Sequence, residues 1–339
     1  MSGAAIPYHL RPHKAVDRRL FVDLLLRYER WRALDKAAYV SMGAYPLEDH
    51  KLVHRLLGIT RLLTFDGNPA IVARQRFNRP IEKARCVHKL SSDLIDEFDE
   101  TLEECGFDDA ERVIVWLDYT DPKKLPEQIR EFETLLDKLA EGDVLRITVN
   151  ANPQAYNGER PAPGIPVDKA EIERVRFENL KLRIGDYLPV SAGPSDMNPD
   201  AFPKVLAKAF SHAVLNAFPT TGDVTFAPLS IVRYADGQQM LSITGAIVTK
   251  SSEGEMRERM DLPNWKFSCD TWDVVHELVV PDLTLRERLY LERSIGTKTV
   301  AEIASDLEFD FDRVSEMPGF LLNYSQYYRF YPSLLAADL

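Results

Sequence analysis

The 339-residue sequence lacks any apolar run of about 18 residues, the length that a membrane-spanning helix requires. Its first twelve residues lack the apolar centre of a secretion signal. Cysteine is scarce, and Cys86, Cys105 and Cys269 form no CxxC pair, which argues against a disulfide framework and against a zinc site. We therefore expect a cytoplasmic protein with three reduced thiols, no membrane association and no metal.

A basic excess of the kind that nucleic-acid-binding proteins carry is also missing, since the net charge is −11. The charge is distributed unevenly along the chain. Residues 1–36 contain eight Lys or Arg residues against four Asp or Glu residues. Either a solvated helix face or a local anion-binding site would explain this basic segment.

Strand and helix patterns alternate five times before residue 150. Each connecting helix returns the chain to the same edge of the sheet, so the strands pair in parallel. The predicted fold class is α/β, with a doubly wound Rossmann-like sheet. The predicted strands span residues 38–42, 60–65, 85–90, 113–117 and 143–149, and the helices between them span 47–57, 69–77, 93–105 and 125–140.

The remainder of the chain follows a different pattern. Apolar residues at helical spacing predict one helix within residues 16–36, before the first strand. The turn at Asp236-Gly237 predicts an antiparallel hairpin over residues 225–248. We divide the chain into a basic N-terminal helical segment (1–36), a Rossmann core (37–250) with an insertion at 150–200, and a helical, aromatic-rich extension (251–339).

Polar motifs follow the first four predicted strands. They are Ser41-Met42-Gly43-Ala44-Tyr45, Phe65-Asp66, Ser91-Ser92-Asp93 and Trp116-Leu117-Asp118-Tyr119. In doubly wound sheets the carboxyl ends of the strands border the binding crevice, and an acidic residue after the second strand accepts hydrogen bonds from a ribose. Alternatives remain open, because Gly43 also suits a plain turn, Asp66 and Asn68 suit a turn and helix cap, and Ser91 to Asp93 suit a helix cap.

Five strand–helix units, a helix and an antiparallel hairpin resemble the class I S-adenosylmethionine-dependent methyltransferases over residues 37–250. A dinucleotide-dependent dehydrogenase would continue with a sixth parallel strand instead. The chain is also similar to a group of bacterial proteins labelled as O-methyltransferases. That group shares the start Arg11-Pro12-His13-Lys14, a glycine turn after the first strand, and Asp118-Tyr119 after the fourth.

The resemblance implies S-adenosylmethionine as the small-molecule cofactor. It implies that the backbone at Gly43 approaches the cofactor, with Tyr45 beside it, and that Asp66 binds the ribose and Asp93 the adenine amino group. Asp118, with Tyr119 next to it, would lie at the methyl-transfer site, where a carboxylate can act as a base toward the acceptor.

The N-terminal segment could supply a missing cation. The turn after the first strand has a single glycine, and therefore offers fewer free backbone donors than the glycine-rich turn of the family. Arg11, Lys14 and Arg18 share one face if the segment is helical, and Pro12 fits the first turn of such a helix. We predict that Arg11 or Lys14 contacts the cofactor carboxylate or an anionic substrate. The alternative is a surface helix with ordinary charges.

Two functions are consistent with these patterns. The first is a methyltransferase, with a bacterial defence or accessory system as one context, whose acceptor pocket is formed by the insertion and the C-terminal extension. The second is a catalytically inactive Rossmann module that binds a nucleotide or scaffolds a partner. The aromatic run at residues 324–331 predicts either docking against the core or an interface with a protein partner or a second copy.

Overall fold

A computed structural model describes residues 12–158, 168–281, 283–307, 309, 311 and 316–331. The strands are β1 (Ala37–Ser41), β2 (Arg61–Asp66), β3 (Arg85–His88), β4 (Arg112–Asp118), β5 (Val144–Asn150), β6 (Val224–Asp236), β7 (Gln238–Thr249) and β8 (His276–Glu277). The helices are α1 (Pro12–Tyr28), α2 (Glu48–Leu57), α3 (Pro69–Asn78), α4 (Ser91–Asp96), α5 (Phe98–Glu104), α6 (Leu125–Leu136), α7 (Lys169–Ile184), α8 (Phe202–Ala217), α9 (Glu253–Arg259), α10 (Leu285–Ser294), α11 (Val300–Asp306) and α12 (Met317–Tyr327).

The strands form one mixed sheet in the order β3-β2-β1-β4-β5-β7-β6-β8. Strands β1 to β5 are parallel, and β7 runs antiparallel to both β5 and β6. The predicted fold class, five parallel strands followed by an antiparallel hairpin, is therefore confirmed. Gly237 makes the tight hairpin turn with a φ of 84°, a conformation that glycine adopts without strain. The short strand β8, which pairs with β6, was not predicted.

Several predicted boundaries differ from the structure. The helix expected over 93–105 is two short helices, because Glu97 leaves the helical conformation at a ψ of 37°. The first helix ends at Tyr28, before Lys36. Within the insertion, the charged stretch from Lys169 to Arg176 predicts a helix, and α7 continues past it to Ile184.

The sheet separates two cores that differ in character. One face, here the α1 face, is covered by α1, α2 and the C-terminal helices, and its core includes Phe21, Tyr39 and Trp116. The opposite α6 face is covered by α4, α6 and α8 around Phe132 and Phe210. Successive strand residues point to alternate faces. Every polar strand residue can therefore be assigned either to the α1 face or to the α6 face.

The C-terminal extension packs against α1. Arg19 of α1 donates hydrogen bonds to the carbonyl oxygens of Phe330 and Tyr331 at 3.1 and 2.8 Å. The side chains of Tyr324 and Tyr327 are fully buried. Of the two alternatives for the aromatic run, the structure thus shows docking against the core. No helix among the described residues is both long and apolar enough to cross a membrane.

Candidate cofactor site

The turn after β1 approaches the neighbouring strand so closely that a side chain at position 43 would displace its neighbours. The Gly43 amide donates to the Ser41 carbonyl oxygen at 2.9 Å and to Thr64 Oγ1 at 3.2 Å, and its carbonyl oxygen accepts from Gln75 Nε2. A β-carbon at this position would lie 2.6 Å from both Thr64 Oγ1 and Leu47 Cδ2. The glycine is thus explained by the protein's own packing. Its amide is already occupied, so it is a poor donor for a ligand.

Helix α2 begins with an unusual conformation. Leu47, its N-cap residue, has φ 53° and ψ 41°, a left-handed conformation that costs a non-glycine residue about 1–3 kcal/mol. No side chain caps the helix, and its first turn contains Glu48 and Asp49. Burial favours the neutral form of Asp49, but His50 and Arg18 outweigh this effect and lower the pKa of its carboxyl group. These two carboxylates make the start of α2 unfavourable for an anion.

A narrow pocket lies between this turn and α1. Its wall is formed by Met42 and Ala44 of the turn, by Trp116 and Asp118 of β4, and by Arg18 of α1. We call it the β1 pocket. It lies at the carboxyl ends of β1 and β4, where doubly wound sheets bind their ligands.

Asp118 projects from the end of β4 into the α1 face. Lys14 Nζ donates to its Oδ2 at 2.5 Å, and the two side chains are only 8% and 15% exposed. The second oxygen, Oδ1, is buried and has no hydrogen-bond partner within the described part of the chain. A buried carboxylate oxygen without a partner is costly, so it marks a position at which a ligand could donate a hydrogen bond.

The tip of the β6–β7 hairpin fixes Lys14 at this position. Asp236 accepts hydrogen bonds from the backbone amides of His13 and Lys14, at 3.3 and 2.8 Å, and so serves as a cap for α1 from outside the helix. His13 Nδ1 lies 2.9 Å from Asp236, and His13 Nε2 accepts from the Val280 amide at 3.0 Å. The start of α1, the hairpin and the C-terminal extension therefore meet beside Asp118.

A buried ion pair supports the floor of this region. Arg146 of β5 donates to Asp17 of α1 at 2.5 Å, and both side chains are at most 3% exposed. The guanidinium group lies 4.8 Å from the ring of Phe21 and 4.7 Å from that of Trp116. Because Trp116 lines the β1 pocket, the pair also fixes the position of one of its walls.

Asp66 ends β2 on the same face. Its Oδ1 accepts from the Asn68 amide at 2.7 Å, and Asn68 caps α3 by accepting from the Ala70 amide at 2.9 Å. The turn-and-cap interpretation is therefore confirmed, and a ribose role is compatible with it because a carboxylate has a second oxygen. Burial raises the pKa of Asp66, although the Asn68 amide and His88 act in the opposite direction.

The remaining predicted residues lie apart from Asp118. Asp93 is exposed in the first turn of α4, and that helix has Leu90 as its N-cap without a side-chain hydrogen bond, so the cap interpretation of Ser91 to Asp93 is wrong. Tyr119 points to the α6 face, and its hydroxyl donates to Glu131. The Arg74 guanidinium group packs over the ring of Tyr45, with Arg74 Cζ 3.4 Å from the ring centroid.

The described part of the basic N-terminal segment, which begins at Pro12, contributes to the core. Lys14 and Arg18 are each only 6% exposed, so the interpretation as an ordinary surface helix is wrong for these two residues. Arg11 lies outside the described residues. The spacing of Lys14 and Arg18 correctly placed these two residues on one face of α1. The sequence analysis did not identify the ion pair between Asp17 and Arg146.

The two histidines with zinc-like spacing have local partners. His50 Nε2 bonds to the Leu63 carbonyl oxygen at 3.1 Å, and His54 Nδ1 bonds to the Ile59 carbonyl oxygen at 2.9 Å. Across the described ranges, no group of three or more metal-ligating side chains is close enough to hold an ion.

A comparison with models of known protein families identifies the chain's relatives. Residues 6–339 match the model of the family described as "Putative O-methyltransferase". The chain belongs to this family. The predicted methyltransferase assignment is therefore confirmed, and with it S-adenosylmethionine is supported as the cofactor.

The solved structures that resemble this chain are distant from it in sequence. The chain is 12% identical to an O-methyltransferase from Bacillus cereus in complex with S-adenosylhomocysteine (SAH), with a TM-score of 0.38, covering 72% of this chain and 83% of that one. It is 8% identical to the plantazolicin methyltransferase BpumL in complex with SAH, with a TM-score of 0.38 and coverage of 69% and 85%. A search of curated protein sequences found no match. The family assignment rests on the family model alone.

The residues at this edge of the sheet fit S-adenosylmethionine. The cofactor combines a ribose, a sulfonium centre and a zwitterionic amino-acid group. Asp66 offers a carboxylate at the end of β2. The β1 pocket offers the guanidinium group of Arg18 and an excess of carboxylates, from Glu48, Asp49 and Asp118. Asp118 Oδ1, which has no hydrogen-bond partner among the described residues, provides a buried acceptor for a ligand N–H group.

Proposed function

We propose that the chain is an S-adenosylmethionine-dependent O-methyltransferase that binds its cofactor across the carboxyl ends of β2, β1 and β4. The observation that carries this proposal is the placement of Asp66 and Asp118 on the same face of the sheet, at the ends of β2 and β4, the two strands that flank β1 and its Gly43 turn. The family to which the chain belongs supports the transfer of a methyl group to oxygen.

Each predicted residue has a defined part in this proposal. Asp66 accepts hydrogen bonds from the ribose hydroxyls, because a carboxylate after the second strand can bond both. Asp93 and Tyr45 border the adenine side, and the Gly43 turn holds the backbone at the crevice. Arg11 remains a predicted ligand for the cofactor carboxylate.

Lys14 acts on the site through Asp118. Its ammonium group holds Oδ2 of Asp118 in place, which leaves Oδ1 as the carboxylate oxygen that a ligand could reach. Bound S-adenosylmethionine supplies an electrophilic methyl group, which an acceptor oxygen attacks more readily once its proton has been removed. The base role of Asp118, and a catalytic role of the neighbouring Tyr119, stay predictions.

The acceptor would enter from the side of β5 and the β6–β7 hairpin. There, Asn150 ends β5 and Asp236 lies beside His13, which also contacts Val280 of the C-terminal extension. The acceptor pocket predicted between the insertion and the extension stays a prediction. A place in a bacterial defence or accessory system stays a prediction.

Isothermal titration calorimetry of the full chain tests the proposal. Separate titrations would use S-adenosylmethionine, SAH, NAD and ATP. We expect the first two to bind, and NAD and ATP to show no heat of binding, because neither carries the amino-acid group. Preferential binding of NAD, or no binding of either adenosyl ligand, would refute the proposed function.

A further inference from the structure

Residues 276–281, here the β8 segment, join the C-terminal extension to the rest of the protein. On one side of the segment, β8 pairs with β6 of the sheet. On its other side, the hydroxyl groups of Tyr327 and Tyr331 donate hydrogen bonds to the carbonyl oxygens of Val279 and Pro281. The aromatic run is therefore attached to the sheet through this segment.

A histidine links the β8 segment to the start of α1. His13 Nε2 accepts a hydrogen bond from the Val280 amide at 3.0 Å. Because a backbone amide can only donate, Nε2 carries no hydrogen, and the ring hydrogen lies on Nδ1. His13 Nδ1 is 2.9 Å from Asp236 Oδ1 and therefore donates to that carboxylate. The two ring nitrogens thus hold two different parts of the protein, the extension and the tip of the β6–β7 hairpin.

Asp236 extends this connection to Asp118. Its Oδ2 accepts from the Lys14 backbone amide at 2.8 Å, which fixes the start of α1 against the hairpin. The Lys14 side chain then donates to Asp118 Oδ2 at 2.5 Å. The side chains of His13 and Asp236 are only 15% and 12% exposed, so water competes little for their hydrogen bonds. A continuous path of contacts therefore joins the Val280 amide to the carboxylate at the end of β4.

We infer that His13 is a positioning residue that couples docking of the C-terminal extension to ligand binding at the end of β4. When the β8 segment is docked, His13 and Asp236 fix the position of Lys14. Lys14 in turn fixes the Asp118 carboxylate. A ligand that binds beside Asp118 stabilises this arrangement and so stabilises the docked segment, because coupling between two sites is reciprocal. The inference rests on the proposed function, since it takes SAH as the ligand.

Hydrogen exchange of the full chain, followed by mass spectrometry, measures this coupling. Exchange in peptides that cover the β8 segment is compared without SAH and at saturating SAH. In the wild type, we expect SAH to slow this exchange about fivefold or more, which is the lower end of the usual range for coupling between sites. No residue of the β8 segment lines the β1 pocket, so a ligand in that pocket would protect the segment only through the protein.

Two substitutions of His13 separate its two hydrogen bonds. His13→Asn has a donor near the position of Nδ1, so it keeps the bond to Asp236 and loses the bond from the Val280 amide. His13→Gln reaches the position of Nε2, so its amide oxygen still accepts from Val280, but Asp236 loses its side-chain donor. Each variant therefore breaks the path at one side of the ring and preserves it at the other.

The expected results distinguish coupling from a structural role. Without SAH, exchange of the β8 segment should be faster in His13→Asn and close to the wild-type rate in His13→Gln. The slowing of exchange by SAH should be lost in both variants. A purely structural histidine would instead change the exchange rate by the same factor with and without SAH. Calorimetric binding of SAH shows that each variant is folded, and if His13→Asn does not fold, His13→Gln alone decides.

Arg19→Gln is the matched control. Arg19 also joins α1 to the extension, but through the carbonyl oxygens of Phe330 and Tyr331. Its substitution should loosen the extension and yet preserve the slowing of exchange by SAH. Asp118→Asn tests the other end of the path, because it removes the charge that attracts the Lys14 ammonium group. We expect a reduced response to SAH in this variant, whereas a full response would remove Asp118 from the path.

The outcomes distinguish this inference from the proposed function. If the wild type does not bind SAH, the proposed function fails and the inference fails with it. If the wild type binds SAH but exchange of the β8 segment is not slowed, only the inference is refuted. Undiminished slowing in either folded His13 variant would likewise refute the role of His13 and leave the proposed function intact.

Discussion

The two faces of the sheet have opposite characters, although the same strands form both. On the α6 face, the core positions of β1, β2, β4 and β5 are apolar without exception, namely Ala38, Val40, Leu63, Phe65, Val113, Val115, Leu117, Leu145, Ile147 and Val149. On the α1 face, the same strands place Ser41, Thr64, Arg146, Thr148 and Asn150 in buried positions. Strands covered on both faces are expected to be apolar on both, so the α1 face departs from that expectation.

The buried polar residues of the α1 face lower stability relative to an apolar core, and we relate this cost to the proposed binding site. A buried polar group is costly unless it is hydrogen-bonded, so a polar core needs a reason beyond packing. On the α1 face, α1 supplies many of the partners, with Lys14 for Asp118 and Asp17 for Arg146. The polar atoms that lack a partner include Asp118 Oδ1, at the carboxyl edge of the sheet. We therefore assign the proposed site to the α1 face and regard the α6 face as its scaffold.

Breaking the Asp17–Arg146 pair should have the largest effect on this contrast. Asp17→Ala leaves the Arg146 charge buried without its carboxylate, so we expect the free energy of unfolding to fall by about 3–5 kcal/mol. Urea denaturation followed by circular dichroism measures this loss. The double variant Asp17→Leu/Arg146→Met removes both charges and should lose much less.

The α6 face provides the matched control. Ile147 is adjacent to Arg146 on β5, points to the opposite face and is fully buried. Ile147→Val should cost about 0.5–1.5 kcal/mol, as expected for one methylene group in an apolar core. If Asp17→Ala costs no more than Ile147→Val, then the buried charges of the α1 face do not distinguish it energetically.

Removing the Asp66 carboxylate should reduce ligand binding more than stability. Asp66→Ala should weaken SAH binding by about 1.5–3 kcal/mol, the range for hydrogen bonds that involve a charged group. Calorimetric titration measures the affinity, and thermal unfolding confirms that the variant is folded. An unchanged affinity in a folded variant would place Asp66 outside the site.

Asn68→Ala separates the two functions of the turn after β2. Asn68 caps α3, and loss of an N-cap costs about 1 kcal/mol of stability. Its backbone amide, which donates to Asp66, is unaffected by the substitution. We expect lower stability with unchanged SAH affinity. A parallel loss of affinity would mean that the cap, rather than Asp66 alone, shapes the ribose site.

The sequence predicted the parts of the molecule that depend on local pattern. The alternation of strands and helices gave all five parallel strands to within two residues, and Asp236-Gly237 identified the hairpin. It also identified the carboxyl-edge residues Asp66 and Asp118, because strand ends can be read from periodicity. These features require no knowledge of which distant segments meet.

The long-range contacts could not be predicted in this way. Asp17 and Arg146 are far apart in sequence, and either residue alone resembles an exposed charge. The sequence left Gly43 open between a plain turn and a close approach to the cofactor, and only the structure shows that the side chains of Thr64 and Leu47 crowd this position. Arg18 was placed on the same face as Lys14, but only the structure shows that Lys14 is paired with Asp118 and that Arg18 lines the pocket.

The smallest predicted effect is a pH dependence of binding through Asp66. Burial raises the pKa of this carboxyl group, so Asp66 becomes protonated at a higher pH than an exposed aspartate does. A ribose hydroxyl bonds best to the ionised form, so binding must be linked to loss of that proton. SAH affinity should therefore fall as the pH is lowered through the pKa of this carboxyl group, by less than the loss caused by Asp66→Ala. Asp66→Asn cannot ionise, yet it keeps an oxygen for the Asn68 amide. The ratio of wild-type to Asp66→Asn affinity cancels the titration of other groups, including His88, and should decrease with falling pH. A ratio that stays constant as the pH falls would show that the Asp66 charge does not contribute to binding.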